Sequence, residues 1–205
     1  MADPSEDSAP KRPIYLVIAL VTLWLVGMTT AAEGFAAIEI VRNPFSPAFG
    51  SLRAGGTEEA LLTRAFADGV ASIARIALPV GVAHVILGAM LVAVSSKALF
   101  ARRASPWFAL QVIAANMAVL IVGYALYLPV RGRVVDSIAT SGLEQRPAAI
   151  SPADFDKLVR LKYWWTFRFR LGIQLAVLGL GALAVTRRAA REVLARPEPS
   201  PSEES

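Results

Sequence analysis

The chain has 205 residues, of which 55% are hydrophobic and only 18% charged, with a mean hydropathy of +0.52; a soluble domain carries about 25% charged residues, so an ordinary soluble fold is excluded. Its net charge of +5 comes from Lys and Arg that flank apolar runs and form no stripe between stacking aromatics, which fits headgroup anchoring and argues against a nucleic-acid partner. With no cysteine, disulfides, thiol catalysis and iron–sulfur ligation are excluded.

Residues 1–12 are rich in Pro, Ser and acidic side chains and read as a disordered tail ending in Lys11 and Arg12. Residues 13–32 form the first of four apolar runs long enough, or nearly so, to cross a hydrocarbon core about 30 Å thick. Thr30, Ala31 and Ala32 allow a second reading of this run, as a cleaved signal peptide. Its length and its unbroken continuation through Gly34, Phe35 and Ala36 favour a retained span. Glu33 and Glu39 stand at its outer end with Arg42 three residues after Glu39, a spacing that pairs charges on one helical face.

A Pro/Gly-rich turn region occupies residues 43–56. Thr57 followed by Glu58 and Glu59 then reads as a capped helix start, and Leu62, Phe66, Val70 and Ile73 predict an amphipathic helix leading into the second span, 76–94. That span carries His84, the sole histidine, in a row with Ala77, Gly81 and Gly88. Such a row of small residues lets another helix approach closely. The imidazole is a candidate proton relay or substrate hydrogen-bonding group; the structural alternative is a bond to Asn116 or to a backbone carbonyl.

The third span, 107–130, begins at Trp107 and Phe108, holds Gln111 and Asn116, and ends with Tyr124 and Tyr127 as an interfacial belt. Asn116 is a candidate catalytic residue whose structural alternative is interhelical glue. The following polar loop contains a second start signal, Ser151-Pro152-Ala153-Asp154, opening an amphipathic helix that runs toward Trp164. The fourth span, 171–185, is short and extends into the interface through Tyr163, Trp164, Trp165, Arg168 and Arg170. Snorkelling and an aromatic belt explain this collar; Arg168, Arg170, Trp164 and Trp165 are its candidate ligand-binding residues. Gly172, Ala176 and Gly179 form a second small-residue face. Residues 187–205 read as a basic, then disordered, tail.

The fold predicted is therefore all-α: an integral membrane four-helix bundle with short amphipathic helices in two non-cytoplasmic loops. The short loop between spans two and three holds Lys97, Arg102 and Arg103, and Arg187, Arg188 and Arg191 flank span four. These place both termini in the cytoplasm, although the longer opposite loops hold twelve of the 21 Lys and Arg residues. Ala/Arg/Val-rich, Lys-poor usage points to a bacterial inner membrane. No metal site or cofactor is expected, since one His and no Cys provide no metal-ligand set.

The segment Leu126-Tyr127-Leu128-Pro129-Val130, the polar loop of helical character, and Trp164, Trp165 and Arg168 at the entry to span four resemble the anthrone-oxygenase-like four-helix membrane proteins over about residues 14–186. Arg131 and Gly132 stand where that family usually has Asn soon after the proline. The resemblance implies a cofactor-free oxygenase-like or small-molecule role, with His84 and Arg168 as residues to test; Glu33, the carboxylate nearest a span, is separately a candidate general acid or base, with a solvated helix edge as its structural alternative. Three functions are carried forward: a non-catalytic accessory or structural subunit, docking a partner or second copy through the Gly81/Gly88 or Gly172/Gly179 face; an oxygenase-like enzyme acting on a hydrophobic small molecule; and an oligomeric transporter or channel.

Overall fold

A computed structural model describes residues 13–43, 68–100, 105–142 and 150–194. Every element among them is helical: α1 (Ile14–Arg42), α2 (Ala74–Phe100), α3 (Pro106–Leu126), α4 (Leu128–Gly142), α5 (Pro152–Thr186) and α6 (Arg188–Leu194). Four of these, α1, α2, α3 and α5, are long and apolar enough to cross a membrane. They pack in the cyclic order α1, α2, α3, α5, each against two neighbours. The end where α1 begins and α5 finishes is the inner end below.

The buried residues of α1 are Leu16, Leu20, Leu23, Gly27, Thr30, Gly34, Ala37 and Ile40, spaced alternately four and three apart for most of the helix. Those of α2, Ala77, Gly81, Gly88, Leu91, Ser95 and Ala98, keep the same heptad register. This 3.5-residue period sets one seam on each helix and packs the two nearly side by side. Along it the backbones almost touch. A Cβ on Gly27 would lie 2.8 Å from the Gly88 carbonyl oxygen, and one on Gly88 would lie 2.6 Å from that of Gly27. On Gly34 it would lie 2.5 Å from the Gly81 oxygen. Only glycine fits there, and close backbones bring dispersion and weak Cα–H···O contacts, which hold helices together where lipid removes the hydrophobic drive. The Gly81/Gly88 face is thus occupied by the chain's own first helix. Among the described residues, Gly172 and Gly179 on α5 meet no atom of another element within 4 Å of where a Cβ would stand, and the glycine of α5 that packs is Gly181, against Leu23.

Element boundaries differ from those predicted in four places. Helix α1 runs ten residues beyond 32, because Ala37 and Ile40 continue its buried seam. The third span is broken at Tyr127: Pro129 lacks an N–H for the Ala125 carbonyl and its ring crowds that oxygen. The Tyr127 N–H still donates to Gly123 and the Arg131 N–H to Tyr127, each at 3.0 Å, so helix resumes at once as α4. The fourth span is not short: α5 is one helix of 35 residues, about 52 Å long at 1.5 Å per residue. Its start is as predicted, with the Ser151 hydroxyl accepting from the Asp154 N–H at 3.1 Å. Part of the C-terminal tail is also ordered: Ala190 and Leu194 of α6 pack with Leu16, Leu20, Ala98, Ala109 and Val185 at the inner end.

At the outer end, α4 and the first half of α5 form a cap over the bundle. Val130, Val134 and Ile138 recur every fourth residue and pack on Ile40, Val70, Ala77, Val159 and Tyr163. Arg160 ties the two helices, pairing with Asp136 at 2.5 Å and with Asp156 at 2.9 Å. Residues 68–72 are helical and meet α2 through a turn at Ile73. The predicted helix start at Thr57 and the predicted disorder of both chain ends lie outside the described residues.

Candidate functional site at the outer end of the bundle

Leu16, Ala98, Ala109 and Val185, one from each long helix, pack together at the inner end and give a common base line. Counting outward at about 1.5 Å per residue places Glu33, His84, Tyr124 and Arg170 roughly 21–26 Å above it. Residues distant in sequence therefore share one level, toward the outer side of a hydrocarbon core about 30 Å thick.

His84 stands on α2 between the two glycine contacts of the seam, Gly81 with Gly34 and Gly88 with Gly27. A Cβ on Gly34 would meet its Cβ at 2.9 Å, and a Cβ on Gly123 would lie 3.1 Å from Cε1 and 3.3 Å from Nε2. Gly123 of α3 thus makes room for the ring, and Gly34 of α1 lets the α2 backbone approach beside it. The Val119 carbonyl is its hydrogen-bonding neighbour and the Glu33 carboxylate acts on it through space. Its Nε2 is buried with no hydrogen-bond partner among the described residues, an arrangement that costs free energy unless a ligand or function completes it.

Glu33 forms an ion pair with Arg170 across α1 and α5. Beside them Arg131, at the start of α4, reaches back over about two turns. Its Nη1 donates to the Tyr124 carbonyl at 2.6 Å, and its guanidinium lies 4.1 Å from the centre of the Tyr124 ring and 5.6 Å from that of Phe167, within cation–π range. Burial pushes this guanidinium below its ordinary pKa, while Tyr124 and Glu33 raise it and Arg170 lowers it. Tyr127 is 8% exposed, and its hydroxyl oxygen is also buried without a partner among the described residues.

Three of the candidates named from sequence, His84, Glu33 and Arg170, are brought to this level. Asn116 is not: it lies about 10 Å above the base line, by the same count. Its Nδ2 donates to the Val112 carbonyl at 2.9 Å and across the helix interface to that of Leu87 at 3.1 Å, so it does not bond His84. Trp164 makes an edge contact with Phe167 and flanks the cluster. Arg168 and Trp165 are exposed and belong to the outer belt. The tyrosines were legible only as belt residues, and Arg131 only as a loop charge. Its seven-residue spacing from Tyr124 becomes meaningful once helix is known to resume after Pro129. Among the described residues no three His, Asp or Glu side chains group as a metal site. Comparison with family models, curated proteins and solved structures gives no match.

Proposed function

We propose that the outer polar cluster receives the polar end of a hydrophobic small molecule, with His84 as the group that hydrogen-bonds it or exchanges a proton with it. The observation that carries this reading is the buried, unpartnered Nε2 of His84, lodged where α1, α2 and α3 meet and acted on by Glu33. An ionisable side chain at such depth is costly and marks function more often than packing. The anthrone-oxygenase-like outline points the same way and extends the reading to chemistry on the bound molecule.

Thermal unfolding of the detergent-solubilised chain against a panel of hydrophobic phenols, quinones and fatty acids tests it. A ligand present at a hundred times its Kd stabilises the folded state by about 2.7 kcal/mol, so at least one class raises the Tm of the wild type. His84→Gln should abolish that rise while keeping the ligand-free Tm. A panel that stabilises neither protein, or both alike, overturns the proposal.

A second reading, the accessory subunit, is favoured by a separate observation: among the described residues, the Gly172/Gly179 face of α5 meets no atom of another element within 4 Å. Crosslinking through a photoreactive residue at position 176 reports on it; labelling by lipid alone counts against it. We also infer a bacterial inner membrane with both termini inside, supported by Lys97, Arg187, Arg188 and Arg191 at the inner end. The absence of native cysteine makes the check direct. With a membrane-impermeant thiol reagent on intact cells, Thr140→Cys should label and Ser105→Cys should not; the reverse pattern inverts the topology.

A further inference from the structure

We propose that Arg131 and the Tyr127 hydroxyl form a binding site for an anionic headgroup, a carboxylate or phosphate carried by an amphiphile at the outer end of the bundle. This rests on the reading that the outer cluster receives the polar end of a hydrophobic molecule, and names the charge of that end.

The argument is one of unmet valence. A guanidinium carries five N–H donors, and the contacts of Arg131 place one on the Tyr124 carbonyl and its face on the Tyr124 and Phe167 rings. No carboxylate of the described residues lies within ion-pair distance of it. Glu33, the acid that acts on it, is already neutralised by Arg170, so Arg131, Arg170 and Glu33 together leave one positive charge. The carbonyl bond and the two nearby rings hold the guanidinium in place, and its remaining donors suit bidentate recognition of a carboxylate or phosphate. Tyr127 supplies an independent sign. It is more than nine-tenths buried, Arg131 acts on it through space, and its hydroxyl lacks a partner among the described residues. A snorkelling arginine would direct its head into headgroups without such rings or a buried hydroxyl beside it.

The probe is a fluorescent fatty acid compared with its methyl ester, titrated into the full chain in nanodiscs of zwitterionic lipid. The acid should bind at least tenfold more tightly than the ester. Arg131→Gln should bring the acid to the ester's affinity and Arg131→Lys should keep part of the preference. Tyr127→Phe should weaken the acid several-fold while leaving the ester unchanged. Unchanged Tm in the ligand-free variants confirms that folding is intact. Repeating the titration in nanodiscs containing anionic phosphatidylglycerol separates the sources: loss of acid binding there makes a lipid headgroup the resident anion, and retention makes it a discrete molecule. Equal binding of acid and ester by the wild type overturns the anion site alone. Binding of neither overturns the underlying reading as well.

Discussion

The two ends of the α1–α2 pair share one closed seam and differ in what lies beside it. From Leu16 to Gly34 the helices are zipped by glycine and small side chains until backbone meets backbone, and polar groups there are isolated: the Thr30 hydroxyl donates to the Val26 carbonyl at 2.8 Å, and the Ser95 hydroxyl is buried with no partner among the described residues. From Glu33 outward the seam stays closed at Gly34 and Gly81, and charged and ionisable groups gather beside it: an imidazole, an ion pair and a guanidinium within cation–π range of two rings. One helix pair thus supplies a rigid base and a polar mouth. Close packing needs small residues on both partners, whereas the mouth needs a neighbour to yield space, as Gly123 of α3 does for the His84 ring.

The strongest test of this contrast is steric. Gly34→Leu or Gly88→Leu should prevent the chain from accumulating in folded form, since the first added carbon already collides with backbone; overpacking costs about 1–3 kcal/mol even where side chains can move. Gly172→Leu and Gly179→Leu should change the detergent Tm by an amount equivalent to less than about 0.5 kcal/mol. Similar losses in the two sets, read from expression and thermal unfolding, would erase the distinction between a packed and an open glycine face.

Asn116→Ala, in the rigid half, removes the interhelical bond to Leu87 and should cost about 0.6–2 kcal/mol of stability without altering ligand-induced stabilisation. An effect on ligand response equal to that of His84→Gln would move the functional level inward. Gly123→Ala places a carbon 3.1 Å from the His84 ring, so the ring must shift by a few tenths of an ångström. The expected outcome is a weakened ligand response with nearly unchanged ligand-free Tm. Smallest of all is Asp136→Asn in the cap. Its bond to the exposed Arg160 competes with water and salt, and Arg160 keeps Asp156. No change in Tm at moderate ionic strength is expected.

Much of the architecture was legible because membrane spans announce themselves by length and composition, and the Ser151 cap by its hydroxyl three residues before Asp154. The row containing Gly81, His84 and Gly88 was legible as a close-packing face, but its partner was not. Gly27 and Gly34, seven residues apart, carry the same signal on α1, yet spacing alone does not say which two small faces meet. The same ambiguity made Gly172 and Gly179 look equivalent to Gly81 and Gly88, although one pair is packed and the other open. Arg131 escaped notice for a different reason. A proline was read as the end of a span, and the side chain that folds back over Tyr124 lies just beyond it. Separating a belt of snorkelling arginines from a placed one requires the ring and carbonyl around it, which arise only when α3, α4 and α5 are brought together.

The length of α5 has a mechanical consequence. It is an unbroken rod joining the inner cluster at Val185 to the cap near Asp156, with Arg170 midway. A tilt of 5° about its inner end would carry the outer tip sideways by about 4–5 Å, given a length near 52 Å, and would shift Arg170 by about half as much. The α1–α2 pair, locked backbone to backbone, resists such bending, so α5 is the lever and the zipped pair its post. Such a tilt would carry Arg170 relative to Glu33, its ion-pair partner on α1.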